Sequence, residues 1–575
     1  MVEIPVSGQP NPPDPSPPKK RSASALVALG ILFSRLSGVV REIVFSAFMG
    51  VGGAADAFGL ATRIPNVLQM LLGEGTLSAS FIPVYTAELE RDEEEAGRIA
   101  GAVAALLALV AAIIVILSWI FAPQITWAIM LGKTENDPRY ELTVSLLRVI
   151  FPSAGLLVLS AWCLGILNSH RQFFLSYVAP VLWNVAQITA VVAGFLFFGV
   201  GDASTTVFSS PDGLADRETN VRILGDVAKV AAWGFLAGSA LQFLVQVPNV
   251  RRLAKGLKFR LDVKRKGVRE VIRRFGGAVS GRGVVQISAF ADTILATAIT
   301  TGAVAALVKA QILYILPISL FAVSIAASEL PELSRLTNPC EIRKRGEKGF
   351  GKIVFFVAFI SLAYILLGDK VVGTLLERGE FNSDDTLLVW FTLGAYALGL
   401  LPSAVSRLTQ NTLWSQGDTT GPAKIAFVRV AISITVALVA MRLFDRVGTN
   451  DVRDLLPTLY DGGTRNETLR FGAMGITLGS AVAAWVEAVL LWRLADKVIP
   501  GVSPLAPVRQ LIPALSAAAI VAIGMRFVTN DMWPPLAAAL AVGVSGLTYL
   551  AVCRARNVSE VDLVLVGPLK RFRSS

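Results

Sequence analysis

The feature that most constrains this chain is a pair of long apolar segments that carry charged residues in their interior. The pair occupies residues 24–89 and is divided by a glycine-rich turn at residues 51–53. Each segment is long enough to cross a bilayer, which takes about 20 apolar residues. One arginine or lysine at the centre of such a span costs about 2.5–3.5 kcal/mol, so several persist only beside a partner or a wet cavity. The pair therefore predicts a polar, cation-lined cavity inside a membrane protein. Its charged residues are Arg35, Arg41, Glu42, Asp56, Arg63 and Glu74.

Composition supports a polytopic membrane protein. Of 575 residues, 54% are hydrophobic and only 17% are charged, whereas about 25% are charged in soluble domains. The net charge of +11 could serve a nucleic acid, but the basic residues cluster in short loops, which is typical of cytoplasmic anchors. Three distant cysteines and one histidine provide neither a disulfide framework nor a metal site.

Further apolar segments extend the pattern to about fourteen spanning helices, and the fold class is all-α. After the first two, they fall at about 97–131, 142–168, 173–199, 224–248, 276–300, 303–333, 351–368, 384–415, 422–444, 471–496, 508–528 and 533–553. An even number of spans places both termini on the same side of the membrane.

Loop charges set the orientation. Residues 1–23 form a Pro-rich tail that ends in a basic cluster, and we expect this tail to be disordered and cytoplasmic. The loops after the sixth and eighth spans are strongly basic, as cytoplasmic loops are, whereas those after the fifth and eleventh have mixed charge. Residues 251–275 form a basic linker, and an amphipathic helix lying on anionic lipid is an alternative interpretation of the same residues.

An internal repeat predicts two lobes. Residues 53–83 can be laid over residues 302–331 with about one gap, because each copy follows a glycine turn and ends in Ala-Ser-x-x-Pro. The offset near 249 residues predicts an N-lobe at 24–250, a C-lobe at 276–500, two appended helices at 501–555 and a cytoplasmic tail at 556–575. Two pseudo-symmetric six-helix lobes around a central cavity are typical of alternating-access transporters. Chance similarity between two Ala-rich helices is the alternative.

The motifs of the first two spans resemble a known family. Their order and spacing over about fifty residues are similar to those of the MurJ (MviN) lipid II flippases, which belong to the multidrug/oligosaccharidyl-lipid/polysaccharide exporter superfamily. The matching pieces are Ser34-Arg35, Gly38, Arg41-Glu42, Asp56-Ala57-Phe58, Ile64-Pro65-Asn66, Glu74-Gly75 and Ser80-Phe81-Ile82-Pro83.

The resemblance implies an anionic substrate. Guanidinium groups grip a pyrophosphate through two hydrogen bonds at once, and Arg35 and Arg41 match positions that line the family's central cavity. Among the matched residues of the second span, we also expect substrate contact from Asp56, Arg63, Asn66 and Glu74. A local Asp56–Arg63 pair that only stabilises the fold is the alternative.

The second lobe departs from the family pattern. In the family's eighth helix, an arginine and a glutamate precede a proline, but this chain has Ile312 and Ile315 before Pro317. Lys309 is the nearest replacement and a further candidate for substrate contact, although lysine lacks the arginine fork. Snorkelling of Lys309 toward an interface is the alternative.

An aspartate in the seventh span is a candidate for ion coupling. Asp292 stands among apolar residues, which indicates either a cation site or a pair with Lys309 or Arg282. For the cation site, the resemblance implies a sodium ion bound by this position together with polar residues of the eleventh span. That span offers Ser433 and Thr435 but neither Asn nor Asp. We expect no cofactor and no metal centre, and sodium stays open.

The sequence thus predicts a transporter rather than an enzyme, because acid pairs, nucleophile elbows and nucleotide-binding glycine motifs are missing. It would flip lipid II from the cytoplasmic to the outer leaflet of the bacterial inner membrane for peptidoglycan synthesis. Flipping of another polyprenyl-linked glycan, or a scaffold that transports nothing, are the alternatives. We expect a monomer whose partners are its lipid substrate, membrane lipids and cell-wall synthesis proteins.

Overall fold

The structure, a computed structural model, describes residues 20–131, 137–198, 215–333, 335–336, 338–416, 418, 420–455, 469–501, 503–530 and 532–565. Most of the predicted N-terminal tail, the end of the C-terminal tail and most of the loop after the fifth span lie outside these residues. The described part is helical, and its only extended pairing is an isolated bridge between Gly448 and Arg470.

In the first half of the chain, the described residues form eight helices. They are α1 (Lys20–Met49), α2 (Gly53–Leu72), α3 (Glu74–Leu89), α4 (Glu93–Ile120), α5 (Ala122–Ile129), α6 (Arg139–Ser169), α7 (Phe173–Phe198) and α8 (Ala215–Leu253).

The described residues of the second half form twelve helices and one π-helical stretch, Ile318–Val323. The helices are α9 (Lys266–Thr297), α10 (Ala303–Pro317), α11 (Ser324–Leu333), α12 (Pro339–Leu376), α13 (Ser383–Leu398), α14 (Leu400–Ser415), α15 (Thr420–Phe444), α16 (Thr449–Leu455), α17 (Gly472–Val498), α18 (Ala506–Val528), α19 (Pro534–Ala555) and α20 (Val561–Leu565).

Every predicted apolar segment coincides with one helix or with consecutive helices. Within the described residues, ten helices are long and apolar enough to span a membrane, and the bent pair α13–α14 would be an eleventh. The expected count of fourteen spans is therefore not confirmed. The linker predicted at 251–275 is shorter as a non-helical segment, because α8 ends at Leu253 and α9 begins at Lys266.

The second span is broken into two helices, α2 and α3. Pro65 lies inside α2, whereas the break falls at Gly73, where the backbone leaves helical geometry (φ −97°, ψ −133°). The face shared by Asp56 and Arg63 consequently does not continue to Glu74, which begins α3. The repeat-related span is interrupted as well, by the π-helical stretch between α10 and α11.

The helices pack as two lobes joined by α9. In the first lobe α8 packs on α6 and α7, and α1 lies against α7; in the second, α15 packs on α17, and α12 packs on α13, α18 and α19. Helix α9 contacts α3 near its start and α15 near its end. Val268 and Val271 of α9 belong to an apolar cluster of the first lobe, whereas Leu295 and Ile299 pack between the lobes.

Candidate functional site

The two lobes meet where α2 and α10 begin. The buried Asp56 carboxylate of α2 accepts hydrogen bonds from the backbone N–H groups of Gly302 and Ala305, both at 2.8 Å. It thereby caps the first turn of α10, where a negative charge is favourable. Arg139 of α6 donates to the same carboxylate at 2.9 Å and is itself held by Asp137 at 2.7 Å. Asp56 faces this dry contact, and its partner is Arg139 rather than Arg63, the partner in the alternative interpretation of the sequence.

Lys309 lies in the same closed region. Its ammonium group is 3.3 Å from the Glu42 carboxylate and donates to the Ser46 hydroxyl at 2.6 Å. The aromatic ring of Phe381 lies 5.6 Å away, and the lysine is only 4% exposed. Lys309 therefore connects α10 to α1 across the lobe interface, and in this conformation it does not face an open cavity as expected.

Backbone contacts complete the closure. The N–H of Glu380 donates to the carbonyl oxygen of Ala47 at 2.9 Å, and the N–H of Val51 lies 3.3 Å from Asp385. Gly379 has a positive φ of +59°, and a side chain there would collide with the Ala47 carbonyl. Only glycine permits this approach. The end of α1 is thus sealed against the loop before α13.

Beyond this closed end the facing helices part. Near their starts α2 and α10 are buried against one another, and a side chain at Gly59 would touch Val304 and Val308. Farther along the same helices, Met70 is 54% exposed and Ile315 is 40% exposed. The lobes therefore touch at one end of α2 and α10 and splay toward the other.

Arg63 stands at the point where the lobes begin to separate. Its guanidinium donates to the side-chain oxygen of Gln311 on α10 at 3.3 Å, and it lies within electrostatic range of Asp292 on α9. The expected candidate Asn66 is half-buried one turn later on α2. The remaining candidate of this span, Glu74, begins α3, and its side chain lies outside the described part of the structure.

The two arginines of α1 differ in their surroundings. Arg41 donates to the Asn184 side chain of α7 at 3.4 Å, and its guanidinium lies 5.3 Å from the Trp183 ring. Its ion pair with Glu42 is long, at 3.9 Å, so the guanidinium is positioned by these neighbours and keeps little of its charge neutralised by that carboxylate. Arg35, about two turns earlier, is exposed.

The second lobe contributes an arginine that the sequence reasoning missed. Arg429 of α15 forms a 2.7 Å ion pair with Glu487 of α17, and the side chain of Gln410 donates to the same carboxylate at 3.1 Å. Glu487 is 2% exposed, whereas the Arg429 side chain keeps 30% of its surface. Both residues are charges inside predicted spans, which is the signal that singled out α1 and α2. The same test applied to every span would have found them.

Asp292 links these two arginines. It lies within electrostatic range of both Arg63 and Arg429. One carboxylate oxygen accepts from Ser480 at 3.1 Å, and Ser480 lies 3.2 Å from Ser433. The other oxygen is buried and has no hydrogen-bond partner among the described residues.

The two lobes meet at one end and splay at the other, and arginines lie on both facing walls. This arrangement is typical of an alternating-access membrane transporter. Comparison with known proteins narrows this class. Residues 45–449 match the family model described as "Lipid II flippase MurJ". The chain belongs to the MurJ family and is a multi-pass membrane protein.

Individual relatives agree with this placement. The chain is 28% identical over 467 residues to the "Probable lipid II flippase MurJ" of Rhizobium tropici, which covers 80% of this chain and 78% of that protein. It is 27% identical over 540 residues to the "Probable lipid II flippase MurJ" of Rhizobium meliloti (strain 1021), which covers 92% of this chain and 91% of that protein. Among solved structures, "Lipid II flippase MurJ, inward closed conformation" matches with a TM-score of 0.72 and 20% identity, covering 92% and 99%. An inward-facing multidrug transporter of the MATE family has a similar fold (TM-score 0.60; 84% and 99% covered; 16% identity).

Proposed function

We propose that this chain flips lipid II from the cytoplasmic to the outer leaflet of the bacterial inner membrane by alternating access, with both termini cytoplasmic. The observation that carries the proposal is the placement of Arg63 and Arg429 on opposite lobes beside the point where the lobes part. Membership in the MurJ family supports lipid II as the substrate.

Each arginine would have a distinct part in holding the headgroup. A pyrophosphate presents several anionic oxygens, and a guanidinium fork can hold two of them. Arg35 is exposed, and Arg41 is positioned by Asn184 and Trp183. These two arginines and Arg63 would bind the headgroup from the first lobe. Arg429 would supply the cation of the second lobe, while the polyprenyl tail stays in lipid.

Release requires the closed end to open. Asp56 must leave the start of α10, and Lys309 must leave Glu42, before the lobes can separate there. These contacts are intact while the opposite end is splayed, so the conformation is the one that would receive substrate from the cytoplasmic side. Substrate binding must stay moderate, because a headgroup held too tightly would not leave.

A second candidate function is the flipping of another polyprenyl-linked glycan. The observation that favours it is Ile315, which stands 40% exposed at the position where the resemblance expects a glutamate. An apolar wall beside the headgroup would suit a glycan with different polar groups. A scaffold without transport is the third interpretation.

Sodium coupling at Asp292 stays a prediction, and the residues fit it poorly. The oxygen ligands available among the described residues are one carboxylate and the hydroxyls of Ser480 and Ser433. Hard cations are bound by about six oxygen ligands. Two guanidinium groups lie within electrostatic range of the same carboxylate and would repel a cation. The unpartnered Asp292 oxygen is more simply neutralised by these arginines.

The test is rescue of a bacterial host depleted of its own lipid II flippase. The unmodified chain should restore growth and the appearance of lipid II in the outer leaflet. Arg41→Ala, Arg63→Ala and Arg429→Ala should each reduce outer-leaflet lipid II at least tenfold at equal membrane abundance. Arg442→Ala is the matched control, because Arg442 is an exposed arginine near the end of α15.

The alternatives predict different results. Rescue confined to a capsule or O-antigen defect would favour another glycan, and failure of both rescues with retained binding to cell-wall synthesis proteins would favour the scaffold. Normal flipping by all three arginine variants would refute the anion-binding mechanism.

A further inference from the structure

The linker between the lobes, residues 254–265, exposes a cluster of apolar side chains. Phe259 is 59% exposed, Leu261 57% and Val263 47%. They alternate along the chain with the charged residues of the segment, and no helix forms there. The amphipathic helix considered from the sequence is therefore absent at 254–265, but the combination of exposed apolar and basic side chains is present.

The linker is docked closely on α4. A side chain at Gly97 would collide with the Lys255 carbonyl, and one at Gly101 would collide with the Lys258 carbonyl. The two glycines lie four residues apart and therefore on one face of α4. Ion pairs fasten both ends of the linker, Lys255 to Glu93 at 2.7 Å and Arg265 to Glu95 at 2.5 Å. The exposed side chains are thus presented from a fixed backbone.

The position along α4 places the linker at the membrane surface. Helix α4 is 28 residues long with a strongly apolar window, and its uninterrupted apolar stretch begins after Arg98. Its lipid-exposed side chains, such as Ile113 and Ile116, lie farther along the helix. Gly97 and Gly101 flank the start of the apolar stretch, so the linker lies where headgroups meet the acyl chains.

Three positive charges of the linker remain available. Residues 251–274 contain eleven basic and two acidic residues. The basic residues at positions 255, 265, 273 and 274 form ion pairs with nearby glutamates. Lys258, Arg260 and Lys264 are exposed and have no ion-pair partner among the described residues. They flank the exposed apolar side chains on both sides.

We propose that residues 258–264 form an interfacial anchor that inserts Phe259, Leu261 and Val263 between anionic lipid headgroups of the cytoplasmic leaflet. The positive charges favour anionic lipid as the partner, because each juxtamembrane lysine or arginine raises the affinity for anionic lipid about fivefold. Aromatic side chains such as Phe259 add affinity by entering the boundary between headgroups and acyl chains. The anchor holds the point at which the chain passes from one lobe to the other.

The experiment uses the full chain in nanodiscs and does not depend on transport. Cys340 is the exposed cysteine, and Cys163 and Cys553 are buried, so a Cys340→Ser background with Phe259→Cys accepts an environment-sensitive fluorophore at one site. The probe should shift to shorter emission wavelength and be quenched by spin-labelled lipid. Both effects should grow as phosphatidylglycerol replaces phosphatidylcholine.

Charge removal tests the lipid partner. Removal of three charges should lower the apparent affinity of the anchor for phosphatidylglycerol about 100-fold. The triple change is Lys258→Gln, Arg260→Gln and Lys264→Gln. The matched control Lys344→Gln, Lys348→Gln and Lys424→Gln removes the same charge from exposed positions near the starts of α12 and α15, on the side predicted to be cytoplasmic, and should leave that affinity unchanged. A probe that stays in water at every lipid composition would overturn the anchor. That result is expected if these side chains serve a soluble partner protein instead of lipid. So would equal effects of the two triple changes.

Discussion

Replacement of Asp56 by Asn should open the closed end of the transporter. The carboxylate accepts two backbone N–H groups of α10 at 2.8 Å and pairs with Arg139 at 2.9 Å, while fully buried. Asparagine keeps one acceptor oxygen but turns an N–H group toward the remaining donors, and it loses the charge that complements the start of α10.

The magnitude follows from these contacts. A hydrogen bond to a charged group contributes about 1.5–3 kcal/mol, and breaking a buried ion pair costs about 3–5 kcal/mol. Arg139 keeps Asp137 as a partner, so the low end of that range applies. A loss of about 3 kcal/mol shifts the ratio of closed to open molecules by about 100-fold.

Pulsed electron resonance between two spin labels measures this shift. The labels replace Trp127 of the first lobe and Arg378 of the second, both exposed near the closed end, in the Cys340→Ser background. Asp56→Asn should add a population at longer distance. Asp369→Asn is the matched control, because Asp369 is a buried carboxylate paired with Arg526 at 3.0 Å within the second lobe. If both variants were equally destabilised and neither lengthened the distance, Asp56 would be a stabilising residue and not a gate.

The remaining predictions use the same protein. Lys309→Gln should lengthen the same inter-lobe distance less than Asp56→Asn does, because it removes one ion pair but leaves the helix cap at Asp56 intact. Arg429→Lys should only partly restore the outer-leaflet lipid II lost in Arg429→Ala, because lysine replaces a two-pronged donor by a point charge. Burial lowers the pKa of His170, so protonation disfavours the packed state. Thermal stability should therefore fall as pH drops below the unfolded value of about 6.5 toward the lowered pKa of the folded protein, and His170→Gln should flatten this profile. Gly97→Val should lower the unfolding temperature through collision with the linker, whereas Gly543→Val, which has open space around it, should not.

Sequence reasoning located the helices and the unusual charges, because both depend on properties that a bilayer imposes. A span must be apolar for about 20 residues, so the segment at 142–168 coincides with α6 (Arg139–Ser169). A charge inside a span persists only beside a partner or a wet cavity, and Asp56 and Arg63 each have a side-chain partner in the structure. The second span breaks at Gly73, whereas Pro65 lies inside α2.

The partners themselves could not be predicted, because they come from distant helices. Asp56 is engaged by residues 83 and 249 positions away, Arg139 and Ala305, and no local pattern encodes those distances. In the sequence, Lys309 resembles a cation that lines the cavity, but the fold places it beside Glu42 and Ser46 of α1. Sequence alone also does not indicate the pairing of Arg429 with Glu487, because the two residues lie on different helices.

One of those separations along the sequence explains why the single carboxylate of Asp56 can hold the closed end of the transporter shut. Asp56 and Ala305 are 249 residues apart, which is the offset of the internal repeat predicted from the sequence, and under that repeat they are equivalent positions of the two lobes. Equivalent residues of a pseudo-two-fold pair can touch only near the symmetry axis. The contact therefore lies at the centre of the route between the lobes and not at its rim. Any path through the closed end must pass this point, so opening there has to separate Asp56 from the start of α10.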